Sequence, residues 1–445
     1  MIRIIAPNNF IPERTYILDI LFEDFLGLDY FFEAKDTDQY TISLDNDKKL
    51  IVKDYFFCGL NEEKNIYTEE NIPKKIEFSK NRFNSEEDLP VIFGHDKIEI
   101  SENEIIIHID IFAATFFLLT RWEEVAITKK DKFERFPHNL SLVQKFNINF
   151  RPVVNEYLEF LWNIFVFLGT KQRRKQFIYT PKITHDIDFI ARYDTFVKYA
   201  KGAVNDVLKR KSFILPFKTT SDYLKLRKGQ QKDPYDTFDF LMEQSEIKGL
   251  KSYFYFVPGV IGEPDVNYNI TDLKVANLIR KIIKRGHKIG IHGTYQSYNK
   301  PNTFKEEKKR LENIYPQIIE GRQHYLRFEN PTTWQMWEDN DMQLDSTMGF
   351  NNDGGFRCGT CYEFTVFNLL TRKKLKLKEQ PLIAMENAIK SKYLKPEIVH
   401  QKINELKLIT QKYKGTFVLL WHNSNFNVIE WKDYKEIYID IVKNI

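Results

Sequence analysis

From residue 181 onward the chain alternates short β-prone runs with longer amphipathic stretches, and few architectures accommodate that order. Strands are predicted at 181–187, 252–257, 288–292, 324–328 and 416–421. Helices are predicted at 236–248, 272–285, 304–314, 333–340 and 397–413. Within 272–285, Leu273, Ala276, Ile279 and Ile283 form one apolar stripe, and Lys284-Arg285-Gly286 supplies a cationic end and a glycine stop. Repeated β–α alternation implies a parallel sheet, closed as a barrel or left open.

The preceding residues read differently. Apolar runs at 49–53, 98–101 and 105–109 precede helical patterns at 111–125 and 152–168, and the basic Lys171-Gln-Arg-Arg-Lys stretch reads as a linker. With 445 residues there is length for two domains, here an α+β unit over 1–175 and an α/β unit over 176–445. The 66 basic and 62 acidic residues leave a net +4, which argues against a polycation built to coat nucleic acid. Three cysteines, Cys58, Cys358 and Cys361, cannot staple a scaffold and suit a reducing compartment. No secretory leader or bilayer-spanning run is expected, and the apolar run 111–120 is too short to cross. A cytoplasmic location follows as an expectation. Between residues 198 and 232, ten Lys or Arg face two Asp, a local excess of +8. The ordinary reading is a solvated excursion; the alternative is peripheral contact with anionic glycans or lipid headgroups.

Chemistry concentrates in Thr184-His185-Asp186-Ile187-Asp188. On a strand, Thr184, Asp186 and Asp188 share one face, with the two acids about 6.5 Å apart at their Cα atoms. Buried together, they repel and lose hydration, and a cation relieves both costs. Three further polar groups fall at predicted strand ends or in a predicted strand: His292, Arg327 and His422. A parallel barrel gathers such ends at one edge. Each histidine alone is more often structural than functional.

The order of these segments resembles the NodB-homology polysaccharide deacetylases over roughly residues 178–445. Closest is a bacterial branch with a separate leading domain and segments like 184–188, 322–328, 355–360 and 421–423 here. The resemblance implies a distorted (β/α) barrel, a divalent metal such as zinc, and removal of acetyl groups from a carbohydrate in surface polysaccharide metabolism. It implies Asp186 as base, Asp188 and His292 as metal ligands, Arg327 as the residue orienting the base, and His422 as general acid. The family's second metal histidine, four residues after the first, is Gln296 here. An amide oxygen is a poorer zinc ligand than imidazole, so His185 or His324 becomes an alternative source of the missing ligand. Trp421, Tyr295, Arg357 and His324 are candidate substrate contacts.

Other features carry less. Cys358-Gly-Thr-Cys361 lacks a second ligand pair for zinc and a thioredoxin-like context. Glu386 and Asn387 read as site polar groups or as a helix cap. No phosphate-cradling glycine loop follows a strand. Two other functions stay open: a non-catalytic glycan-binding protein on a degenerate barrel, and a hydrolase cutting a C–N bond in a small amide.

Overall fold

The computed structural model describes all residues except 194, 209–210, 212 and 260–265. Its strands are β1 (Ile2–Pro7), β2 (Tyr30–Lys35), β3 (Gln39–Ser43), β4 (Lys49–Lys53), β5 (Glu77–Ser79), β6 (Leu89–Val91), β7 (Gly94–Ile100) and β8 (Glu104–Ile109) in the first part. The second part holds β9 (Thr180–Ile187), β10 (Ser252–Phe256), β11 (Lys288–Gly293), β12 (Glu320–Gln323), β13 (Leu344–Asp345), β14 (Phe364–Asn368), β15 (Lys373–Glu379), β16 (Ala384–Met385) and β17 (Thr416–Leu420). A six-stranded mixed sheet has the order β2-β1-β3-β4-β8-β7, and β5 and β6 pair by themselves. Behind the six-stranded sheet lies the helix Ile111–Thr120, apolar on every side and buried throughout. Asp110 caps it, accepting from the Ala113 N–H at 3.0 Å.

The larger sheet runs β14-β15-β13-β12-β11-β10-β9-β17-β16, parallel except where β14 meets β15. Strand 181–187 is observed as Thr180–Ile187, and the helix predicted at 397–413 as Pro396–Lys412. One expectation changes. Among the described residues the hydrogen-bonded ladder does not close: β14 and β16 are its two edges, so the fold is mixed α/β with several sheets rather than a demonstrated barrel. The sheet nevertheless curls. Three strand spacings would hold β9 and β12 about 14 Å apart if flat, yet Lys182 on β9 pairs with Glu320 on β12 at 2.6 Å. Between the adjacent strands β11 and β12 the packing is tight as well, since a Cβ on Gly321 would lie 2.0 Å from the carbonyl oxygen of its partner Ile291. The parts on either side of residue 175 pack against each other. Their buried apolar residues form one cluster, joined where Tyr16 and Phe116 pack on Phe367 at 4.9 and 5.6 Å.

Candidate functional site

The concave face of the curled sheet ends in a cavity of about 390 Å³, bordered by Asp186, Asp188, His292, His324 and His422. Asp186 is the last inward-facing residue of β9 and is buried. Its Oδ1 accepts from Arg322 on β12 at 2.8 Å, and the same guanidinium nitrogen donates to Thr184 at 3.2 Å. Arg322 is itself fixed by Ser346, donating to the carbonyl at 2.8 Å and to the hydroxyl at 3.1 Å. Burial alone would raise the Asp186 pKa; the Arg322 guanidinium, then His292 and His422, outweigh it and hold the carboxyl below its ordinary range.

Asp188, His292 and His324 bring one ligand atom each within 4.8 Å of one another. The Nε2 atoms of His324 and His292 lie 3.3 and 3.5 Å from Asp188 Oδ1. His292 donates Nδ1–H to the Arg322 carbonyl at 2.9 Å, which turns its Nε2 towards the cavity. Burial, reinforced by the neighbouring His292 and His422, pushes the His324 pKa well down and keeps that ring neutral. One carboxylate and two imidazoles are donors that zinc and its first-row neighbours accept. The chemistry of this set therefore fits a divalent ion.

His422 follows β17 and stands across the cavity, its Nε2 3.7 Å from Asp188 Oδ2. Nδ1 bonds Glu386 Oε1 at 2.6 Å, and that oxygen also accepts from the His422 backbone N–H at 2.9 Å and from Asn425 at 2.8 Å. Burial works to lower the imidazole pKa, but Glu386, helped by Asp188 and Asp186, raises it to about 10. His422 is thus an imidazolium whose Nε2–H faces the cavity.

Five expected site residues lie elsewhere. Arg327 does not touch Asp186; it donates to the Tyr295 carbonyl and lies over the Tyr295 and Tyr298 rings at 3.9 and 4.0 Å. The strand predicted at 324–328 lies instead at Glu320–Gln323, and His324–Leu326 turns back with Tyr325 at φ 61°. That turn aims His324 at Asp188 and carries Arg327 away, so Arg322 replaces it beside the base. Gln296 is exposed and accepts from Lys300 at 3.3 Å. The chain after Gly293 is a turn rather than a helix, so position 296 does not share a face with His292. Trp421 is fully buried against Phe426 and Tyr438, because strand alternation sends His422 inward and Trp421 outward. Arg357 is committed inside the protein, donating to Glu124 at 2.6 Å and to the Gly349 carbonyl at 2.9 Å. Tyr295 does not border the cavity; Tyr325 does, its ring against Phe133 at 5.1 Å. Besides Arg322, sequence reasoning missed Arg135, which reaches the cavity from the first part of the chain and donates to the Tyr325 carbonyl at 3.0 Å.

His185, the other alternative ligand, lies on the opposite face of β9. Its Nδ1–H donates to the Trp421 carbonyl at 2.7 Å, and its ring packs on Phe254 at 4.9 Å. Burial pushes its pKa down to about 4, against the backbone bond that favours the proton. In the unfolded chain it titrates near 6.5. As pH falls from there towards 4, the unfolded state gains a proton that the folded state refuses. Stability present above pH 6.5 is therefore lost on acidification, by up to about 3 kcal/mol. His185→Phe should flatten that part of the stability profile in urea titrations at pH 7 and pH 4. An unchanged acid limb would refute this account.

The model of a family of unknown function (DUF7033) matches residues 2–169. No curated protein matches the chain. Solved structures similar in part include one titled "putative polysaccharide deacetylase from Mycobacterium smegmatis", 14% identical with a TM-score of 0.37, covering 60% of this chain and 85% of that one. Others are Puue allantoinase, 10% identical with a TM-score of 0.33 over 46% of this chain and 64% of that one, and a "probable Polysaccharide deacetylase from Pseudomonas aeruginosa PAO1", 12% identical with a TM-score of 0.33 over 46% of this chain and 65% of that one. Likenesses this slight leave the reading of the cavity to its own residues.

Proposed function

We propose that the chain is a metal-dependent hydrolase that removes acetyl groups from a carbohydrate. The observation that carries the reading is the convergence of an Arg-paired carboxylate, a carboxylate–imidazole triad and a Glu-paired imidazolium on one cavity. A divalent ion held by Asp188, His292 and His324 would supply Lewis acidity towards an acyl carbonyl and acidify a water. Asp186 is the base: with Oδ1 fixed by Arg322, its Oδ2 takes the proton of the attacking water. His422 is the acid, handing the proton on Nε2 to the departing sugar oxygen or nitrogen while Glu386 holds the ring in place. Tyr325 offers an aromatic face to a pyranose.

The carbohydrate itself rests on the resemblance of four segments to the deacetylases, and surface polysaccharide metabolism rests on the same ground. Residues 1–175 would be an accessory unit that positions substrate, with Arg135 as its contribution to the cavity wall. The test is acetate release from acetylated oligosaccharides supplied with zinc. Asp186→Asn should lower the rate by about 10²–10⁴-fold while the far-ultraviolet spectrum stays native. An undiminished rate in that variant would refute the base. Ammonia release from small amides without acetate release from any sugar would move the assignment to a C–N hydrolase.

A further inference from the structure

The basic stretch following β9 folds into two helices, Phe196–Leu208 and Leu215–Arg227. Lys209, Arg210 and Ser212 lie outside the described residues. The helices meet along a seam of hydroxyl-bearing side chains. Tyr199 stacks on Tyr223 with ring centroids 4.3 Å apart, and Thr219 donates to Asp206 at 2.5 Å. The purely apolar side chains lie outside instead. Phe213, Ile214 and Phe217 are 80, 78 and 78% exposed, and Leu208 is 72% exposed. A helix pair stabilised only by its own packing would place these the other way round.

Further along the helices the pattern repeats. Val197, Val204 and Leu208, at spacings of seven and four, share one helical face, and so do Phe217 and Leu224. Eight of the 23 exposed large apolar side chains among the described residues fall between 196 and 224, too concentrated for ordinary scatter. Lysines flank them: Lys201, Lys211, Lys218 and Lys225 are exposed, while Asp206, one of the two acids, is buried. The stretch 198–232 carries +8 where the whole chain carries +4.

We propose that this helical hairpin docks on an anionic lipid bilayer. Leu208, Phe213, Ile214 and Phe217 enter the boundary between headgroups and acyl chains, and the flanking lysines face the phosphates. Charge complementarity selects this occupant. A protein partner would need one groove for the tip and acidic surfaces for both helices, whereas an anionic membrane offers both everywhere. Seven residues separate Asp188 from Phe196, the end of the hairpin opposite its tip, so docking tethers the cavity to the membrane by the length of one helix. The binding itself is independent of whether the cavity is catalytic.

The test is co-sedimentation of the full chain with phosphatidylcholine vesicles, with and without about one third phosphatidylglycerol. The protein should sediment with the anionic vesicles alone and be released by high salt. Phe213→Ser, Ile214→Ser and Phe217→Ser combined should weaken binding at least about tenfold, and Lys211→Glu with Lys218→Glu at least about fivefold. Independently, Phe217→Trp should add a fluorescence component that shifts to the blue only when anionic vesicles are present. Absence of sedimentation, equal sedimentation with both vesicles, or undiminished binding by the triple variant would overturn the proposal. So would self-association in vesicle-free sedimentation velocity that the triple variant abolishes, because the tip would then belong to a second copy of the chain.

Discussion

Arg322→Met will cost the fold about 3–5 kcal/mol, because it strands a carboxylate in the protein interior. Arg322 is fully buried and Asp186 is 1% exposed, so water cannot replace the lost guanidinium. The same substitution removes the donors to the Ser346 carbonyl and hydroxyl. Asp186 will then keep a proton to a higher pH, since burial raises its pKa with the largest opposing cation gone. Denaturant titrations should show the loss, with partial recovery when Asp186→Asn is added, because contacting residues are not additive. Arg327→Met is the control. Arg327 is also buried, but its interactions are one carbonyl and two tyrosine faces, so its loss should cost only about 1–2 kcal/mol. Equal costs for the two arginines would show that Asp186 is not held by Arg322.

His324→Ala will abolish the stabilisation that zinc confers, and Gln296→Ala will leave it intact. A ligand present at about one hundred times its dissociation constant stabilises the fold by about 2.7 kcal/mol, visible as a thermal shift that a chelator reverses. Losing a group that merely supports a ligand costs about 10–100-fold in affinity, and losing a ligand should exceed that. The contrast follows from position: His324 Nε2 lies 3.3 Å from Asp188 Oδ1, whereas Gln296 is exposed and bonded to Lys300. A thermal shift that survives His324→Ala and disappears in Gln296→Ala would restore the ligand set that the sequence spacing suggested.

Much of the candidate site was legible from chain alternation. Asp186 on β9 and Asp188, the first residue beyond it, both border the cavity as strand alternation predicts, and His292 and His422 stand at or just beyond the ends of β11 and β17. The errors cluster at strand ends. There the residue after the last ladder bond can turn in several directions, and side-chain order along the sequence no longer gives direction in space. Arg327 fell on that uncertainty, whereas the outward turn of Trp421 follows from the alternation that points His422 inward. A usable signal for Arg322 did exist. Glu320 and Arg322 are two apart on β12, as Lys182 and Thr184 are on β9, with Asp186 next on that face. The complementary order of charges matches the pairs Lys182–Glu320 and Asp186–Arg322.

The sequence alone determined the β–α alternation of the second part and the face that carries Asp186, because these depend on neighbours two to four residues away. Which arginine meets the base, which histidine completes the triad, and that Glu386 charges His422 were decided only by the tertiary structure. Those contacts join residues 36 to 136 positions apart. They depend on how strongly the sheet curls and on one reversed turn at Tyr325. Register and curvature are collective properties of many strands, and no local run of residues encodes them.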